Sequence, residues 1–147
     1  MAMESKWKDD QLISSVAWKP NGQKCPDTNV QDRVGIIVRY YEDGKKEFCN
    51  TYKDGRLNGL STGWYKNGQK KSESNTQDGK KDGLWTTWHE NGQKEYESSF
   101  KEGKRDGLLI KYSIDGKEIF RKTYKNGEEV KDFRFNPQLI SPNLLDP

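Results

Sequence analysis

The chain has 147 residues, of which 30% are hydrophobic and 33% charged; that is enough for one domain but too lean for a thick central core. A net charge of +3 gives little self-repulsion, and aromatics at 12% recur at fixed intervals, which together argue against disorder. The slight basic excess is not the concentrated patch that nucleic acid requires, so no nucleic-acid partner is expected, and no apolar run reaches the roughly 18 residues of a membrane-spanning helix.

Residues 1–11 read as a flexible N-terminus. Met1-Ala2-Met3-Glu4-Ser5 has no apolar stretch of the signal-peptide kind, so a cytoplasmic location is expected; the alternative is a secreted or surface protein whose leader preceded Met3. Residues 12–34 read as a degenerate capping repeat. Val16-Ala17-Trp18 and Asn21-Gly22-Gln23-Lys24 copy half of a motif found downstream, but Trp18 stands 22 residues before Tyr40, not 24. Cys25 and Cys49 do not form a disulfide framework and read as ordinary thiols in a reducing compartment.

From residue 35 the chain repeats every 24 residues, giving units 35–58, 59–82, 83–106 and 107–130. Gly35-Ile36, Gly59-Leu60, Gly83-Leu84 and Gly107-Leu108 share one position, and Tyr40, Trp64, Trp88 and Tyr112 share another; Trp18 extends this aromatic ladder into the cap. Two sets of turn pairs recur: Asp43-Gly44, Asn67-Gly68, Asn91-Gly92 and Asp115-Gly116, then Asp54-Gly55, Asp78-Gly79, Glu102-Gly103 and Asn126-Gly127. Each unit therefore predicts two short strands bounded by glycine turns, and the fold class is all-β: an elongated antiparallel meander of stacked hairpins.

Parity decides the first turn. A two-residue loop at Asn91-Gly92 would pair Trp88 with Glu95 and place the two aromatic rows on opposite faces. A three-residue loop, Glu90-Asn91-Gly92, pairs Trp88 with Lys94 and Thr86 with Tyr96, with Gly92 in the left-handed conformation; Gly44, Gly68 and Gly116 take the same role. The three-residue loop is therefore expected. So is a single even-numbered apolar face carrying Ile36, Val38, Tyr40, Phe48, Tyr52, Leu60, Trp64, Leu84, Trp88, Tyr96, Phe100, Leu108, Ile110, Tyr112, Phe120 and Tyr124.

The pattern Gly-Leu-x-x-x-Trp-Tyr/His-x-Asn-Gly-Gln-Lys, followed by Asp/Glu-Gly-Lys-x-Asp-Gly, resembles the MORN (membrane occupation and recognition nexus) repeat, in its bacterial variant, over about 35–130. The resemblance implies a stacked-hairpin sheet used for binding. It also implies that the partner is a protein, in the bacterial case a cognate toxin neutralised by an antitoxin or immunity protein, or else that the sheet is a membrane-peripheral or surface scaffold with weak contact to anionic lipid.

Motifs that look catalytic have simpler readings. Gly59-Leu60-Ser61-Thr62-Gly63, with Asp82 and His89 following in hydrolase order, lies within a repeat strand rather than at the strand-to-helix turn that a nucleophile elbow needs. His89-Glu90 begins a zinc motif, but Gln93 stands where the second histidine belongs. Asp78, Asp82, Glu102 and Asp106 beside glycines suit turns better than calcium. No enzyme activity, metal or cofactor is expected. Lys80-Lys81 and Lys104-Arg105 read as a modest basic edge.

Binding is expected on the odd face, where Tyr41, Tyr65, Trp85, His89, Glu95, Glu97 and Arg121 set aromatics among charges; the alternative is that this row packs against the terminal segments or covers a second thin core. Residues 131–147 leave the repeat with Phe133, Phe135, Leu139, Ile140, Leu144 and Leu145 among three prolines, and read as a C-terminal cap or tail.

Overall fold

The computed structural model describes residues 2–18 and 21–130; the expected C-terminal cap, 131–147, lies outside them. Twelve strands follow one another in chain order across one open antiparallel sheet, each pairing with its sequence neighbours. They are β1 Ala2–Lys8, β2 Gln11–Trp18, β3 Lys24–Gln31, β4 Val34–Tyr40, β5 Lys46–Lys53, β6 Arg56–Trp64, β7 Lys70–Gln77, β8 Lys80–Trp88, β9 Lys94–Lys101, β10 Lys104–Tyr112, β11 Glu118–Lys125 and β12 Glu128–Val130. The segment expected to be a flexible N-terminus thus supplies a strand: β1 pairs with β2 from Ala2↔Trp18 to Lys8↔Gln11.

The two edges of the meander use different turns. At one edge the loops hold two residues, both at positive φ: Asp54 (52°) and Gly55 (73°), repeated at Asp78-Gly79, Glu102-Gly103 and Asn126-Gly127. This is the hairpin geometry whose twist matches that of the flanking strands. Asp9-Asp10 and Asp32-Arg33 adopt it without glycine. At the other edge the expected three-residue loop is present. His89 N–H donates to Gln93 O at 2.9 Å, Gly92 N–H donates to His89 O at 2.9 Å, and Trp88 opposes Lys94. The same bonds recur at Tyr41, Tyr65 and Ser113.

The single apolar face does not follow, because the register shifts between Thr87 and Trp88. Thr87, not Thr86, opposes Tyr96, so Glu95 is an extra residue, a one-residue bulge. Glu47, Lys71 and Ile119 are skipped in the same way. A one-residue slip sends every later side chain to the opposite side. Opposed residues share a side, so the sheet has a front carrying Tyr40, Trp64, Trp88 and Tyr112, and a back carrying Phe48, Tyr52, Tyr96, Phe100, Phe120 and Tyr124. Val38 and Ile110 remain on the front, where they are buried.

The main core lies on the back near the N-terminal end, where buried Leu12, Val30 and Ile37 pack with Phe48 and Tyr52. A bulge at Ile13 turns Leu12 to this side: Ser14 opposes Lys6 but Leu12 opposes Trp7. The corner is closed by backbone bonds from Leu12 N–H to Gly55 O at 2.9 Å, Arg33 N–H to Ile13 O at 3.0 Å and Gly55 N–H to Arg33 O at 2.8 Å.

Candidate binding surfaces on the two sides of the sheet

Successive units are stitched at both edges. At the two-residue edge, Gly79, Gly103 and Gly127 each donate a backbone N–H at 2.8 Å to a carbonyl 22 residues earlier: Leu57, Lys81 and Arg105. At the three-residue edge, Tyr41 Oη donates to Trp64 O at 2.7 Å and Tyr65 Oη to Trp88 O at 2.8 Å. His89 Nε2 lies 3.3 Å from Tyr112 O; a carbonyl only accepts, so this nitrogen carries the proton. Asn67 and Asn91 add bonds to the carbonyls of Glu90 and Ile114. The row Tyr41, Tyr65, His89 is therefore engaged in joining units.

The seven residues expected to bind a partner do not form one patch. Trp85 is on the back, its ring stacked on Tyr96 at 6.5 Å and edge-on to Phe100 at 6.3 Å. Glu95 is the bulge residue and accepts from Thr87 Oγ1 at 3.2 Å. Glu97 and Arg121 are on the front. Burial acts to raise the Glu97 pKa, but hydrogen bonds from Lys94 (2.7 Å) and Tyr112 (2.9 Å) outweigh it and hold the carboxyl below its usual range. Arg121 grips Glu118 through Nε and Nη2 at 3.1 and 2.7 Å. The aromatic ladder stands on the front, where Trp18, Tyr40, Trp64 and Trp88 each oppose a lysine and Tyr112 opposes Glu118. The turn glycines Gly44, Gly68, Gly92 and Gly116 have φ of 84, 90, 84 and 80°.

Two surfaces emerge only from the register. On the front, Ile36, Leu60, Leu84 and Leu108 form an aliphatic row across four units, about 10 Å apart at two strand spacings. Expected on the shared apolar face, they are 42–54% exposed. On the back, cations lie over the aromatic rings: Lys81 Nζ is 4.2 Å from the Trp85 centroid and 5.0 Å from that of Phe100, Arg105 lies over Phe100 and Tyr124, and Lys111 over Tyr96. Burial and then the neighbouring Arg105 charge lower the Lys81 pKa. The sequence signal for this cluster was the 24-residue recurrence of Lys80-Lys81 and Lys104-Arg105, of which the second member in each pair faces the back.

Ser61, Asp82 and His89 are not brought together. Ser61 Oγ is buried without a hydrogen-bond partner among the described residues, Asp82 accepts from Glu102 N–H, and His89 is committed to Tyr112 O. A cleft of about 810 Å³ lies where Cys25, Asp27, Arg39 and Tyr40 meet. Within it Tyr40 pairs with Asp27, and Arg39 reaches Glu47 at 2.9 Å. Cys25 and Cys49 are free thiols, and burial pushes that of Cys49 up.

An open, one-layer sheet of stacked hairpins with exposed side chains on both surfaces defines a β-hairpin repeat protein. Residues 33–54, 57–78 and 81–102 match the MORN repeat variant, three consecutive units at the 24-residue period. Such repeats generally bind protein or lipid and are non-catalytic. The unit 107–130, beyond the matched segments, keeps the same bulge and turns. No curated protein matches the chain.

Proposed function

We propose that this chain is a non-catalytic protein-binding module that neutralises a toxin, in the manner of an antitoxin or immunity protein, by covering it with the front of the sheet. The observation that carries the binding reading is the aliphatic row Ile36, Leu60, Leu84, Leu108. Four large apolar side chains standing in line and half in water are the material of an interface and stabilise the isolated fold little. Glu73 and Glu97 on the same side, flanked by Lys70 and Lys94, provide a charged rim that selects among partners. The toxin as partner rests on the resemblance of the sequence motif to bacterial variant repeats, and a cytoplasmic location for both proteins is part of the same proposal.

The test is co-expression with the products of adjacent genes. Protection of cells by the wild-type chain, lost in Leu60→Asp/Leu84→Asp with the melting curve unchanged, is the expected result. Failure to protect against any neighbouring product removes the toxin reading, and protection unaffected by the double variant removes the front as its surface. A second reading has its own observation. Lys53, Arg56, Lys80, Lys101, Lys104 and Lys125 crowd the two-residue edge, where Lys53 opposes Arg56 and Lys101 opposes Lys104, an arrangement suited to anionic lipid. Salt-sensitive sedimentation with phosphatidylserine vesicles, abolished by replacing these side chains with glutamine, would favour it.

A further inference from the structure

We propose that the back of the sheet holds a second binding site, centred on Lys81, Arg105, Trp85 and Phe100, that takes a carboxylate-bearing, apolar-flanked segment of an acidic protein. The site does not depend on the front row or on the identity of a toxin. Three observations carry it. First, Lys81 and Arg105 converge on one ring: Lys81 Nζ is 5.0 Å and Arg105 Cζ 5.8 Å from the Phe100 centroid. Second, among the described residues neither cation has a carboxylate partner, whereas Lys70, Lys94, Arg121, Lys122 and Lys125 each do. Third, the strand positions of β8–β10 that face the back carry Lys81, Arg105 and Lys111 and no acid; Glu95 enters only at the bulge, where Thr87 holds it.

Two like charges side by side, one of them half-buried, are a cost that an incoming anion relieves, and a protein segment supplies that anion as a carboxylate. The rings specify what flanks it. Trp85, stacked on Tyr96 and edge-on to Phe100, presents a rigid apolar surface beside the cations. The neighbouring unit widens the approach, because Ser61, Gly63, Ser72 and Ser74 stand on the back where its neighbours carry larger side chains such as Ile37, Arg39, Phe48, Trp85 and Tyr96. A membrane fits less well. A bilayer surface gains about 1 kcal/mol from each nearby cation, and of the three only Arg105 is exposed, Lys81 and Lys111 being half-buried over rings.

The experiment uses the full chain and a fluorescein-labelled peptide of alternating glutamate and leucine, read by anisotropy at low salt. The glutamate peptide is expected to bind, and its glutamine counterpart to bind roughly tenfold more weakly or less, the scale of one charge-assisted hydrogen bond. Lys81→Gln, Arg105→Gln and Trp85→Ala should each weaken binding about tenfold, with folding checked by circular dichroism and melting. Lys8→Gln/Lys117→Gln, which removes two exposed charges elsewhere, should leave it unchanged. Absence of binding, equal binding of the two peptides, or an equal loss in the Lys8/Lys117 variant overturns the proposal. So does a preference of the Lys81–Arg105 pair for phosphatidylserine vesicles over the peptide. Toxin protection that survives Lys81→Gln separates this site from the front surface.

Discussion

Ser98 is 1% exposed on the back, opposite Trp85 and Leu109, and its hydroxyl has no partner among the described residues. A buried hydroxyl without a bond costs about 1–3 kcal/mol. Ser98→Ala is therefore expected to stabilise the protein by roughly 1 kcal/mol, seen as a higher urea midpoint with unchanged slope. Glu97 makes the opposite case. Its folded pKa lies below its usual 4.5, so the stability it contributes is present above that value and is lost as pH falls through the folded value. Glu97→Gln should lower stability at neutral pH, flatten the acid limb of the stability profile and converge with wild type in acid; parallel profiles would assign the carboxylate no role. The pairing itself was beyond sequence reading. Tyr112 and Glu97 are 15 residues apart and meet only because β9 and β10 pair with both side chains on the front.

At the scale of the element, the bulge governs. The three-residue loops were legible because Asn-Gly and Asp-Gly state a local backbone requirement, and Asn91 Oδ1 accepting from Gln93 N–H at 3.0 Å shows how the turn satisfies itself. Glu47, Lys71, Glu95 and Ile119 share one position but no chemistry, so nothing in the residue types announced a bulge there. Its cause is distributed: it lets Trp88 stay opposite Lys94 while Tyr96 and Phe100 reach Trp85. Deleting Glu95 restores strict alternation with Lys94 still opposite Trp88 and Tyr96 still opposite Thr87, so Tyr96, Ser98 and Phe100 stay on the back and only the bulge is lost. The deletion variant is expected to fold with the back cluster in place at a cost of about 1 kcal/mol or less, read as a urea midpoint close to wild type with unchanged slope. A loss of several kcal/mol would show that the local twist of the bulge, and not only the residue count, holds Trp85 against Tyr96 and Phe100.

For the whole molecule, stability is a sum over neighbours. Each unit contacts those beside it through the ladder, the turn-glycine bonds and the tyrosine or histidine stitch, so length can change without changing the plan. Removing residues 59–82 in frame joins Asn58 to Gly83 and places Tyr41 beneath Trp88 in the role that Trp64 filled. The shortened chain should fold with a lower melting temperature and a smaller denaturant slope, in proportion to the surface no longer buried. Removing 23 residues instead should prevent folding, because the junction strand would present the wrong side. A folded 23-residue deletion would contradict the register on which both binding surfaces rest.

By itself the sequence determined the period, the turns, the strand count per unit and the antiparallel meander, because glycine, asparagine and aromatic spacing act locally and the same local solution recurs every 24 residues. Which side each strand presents was decided only in three dimensions. A bulge adds a single residue whose identity is unconstrained, and its effect appears in the partner strand. That one step separated the aromatics into two rows, exposed the aliphatic row and set Lys81 and Arg105 over Phe100.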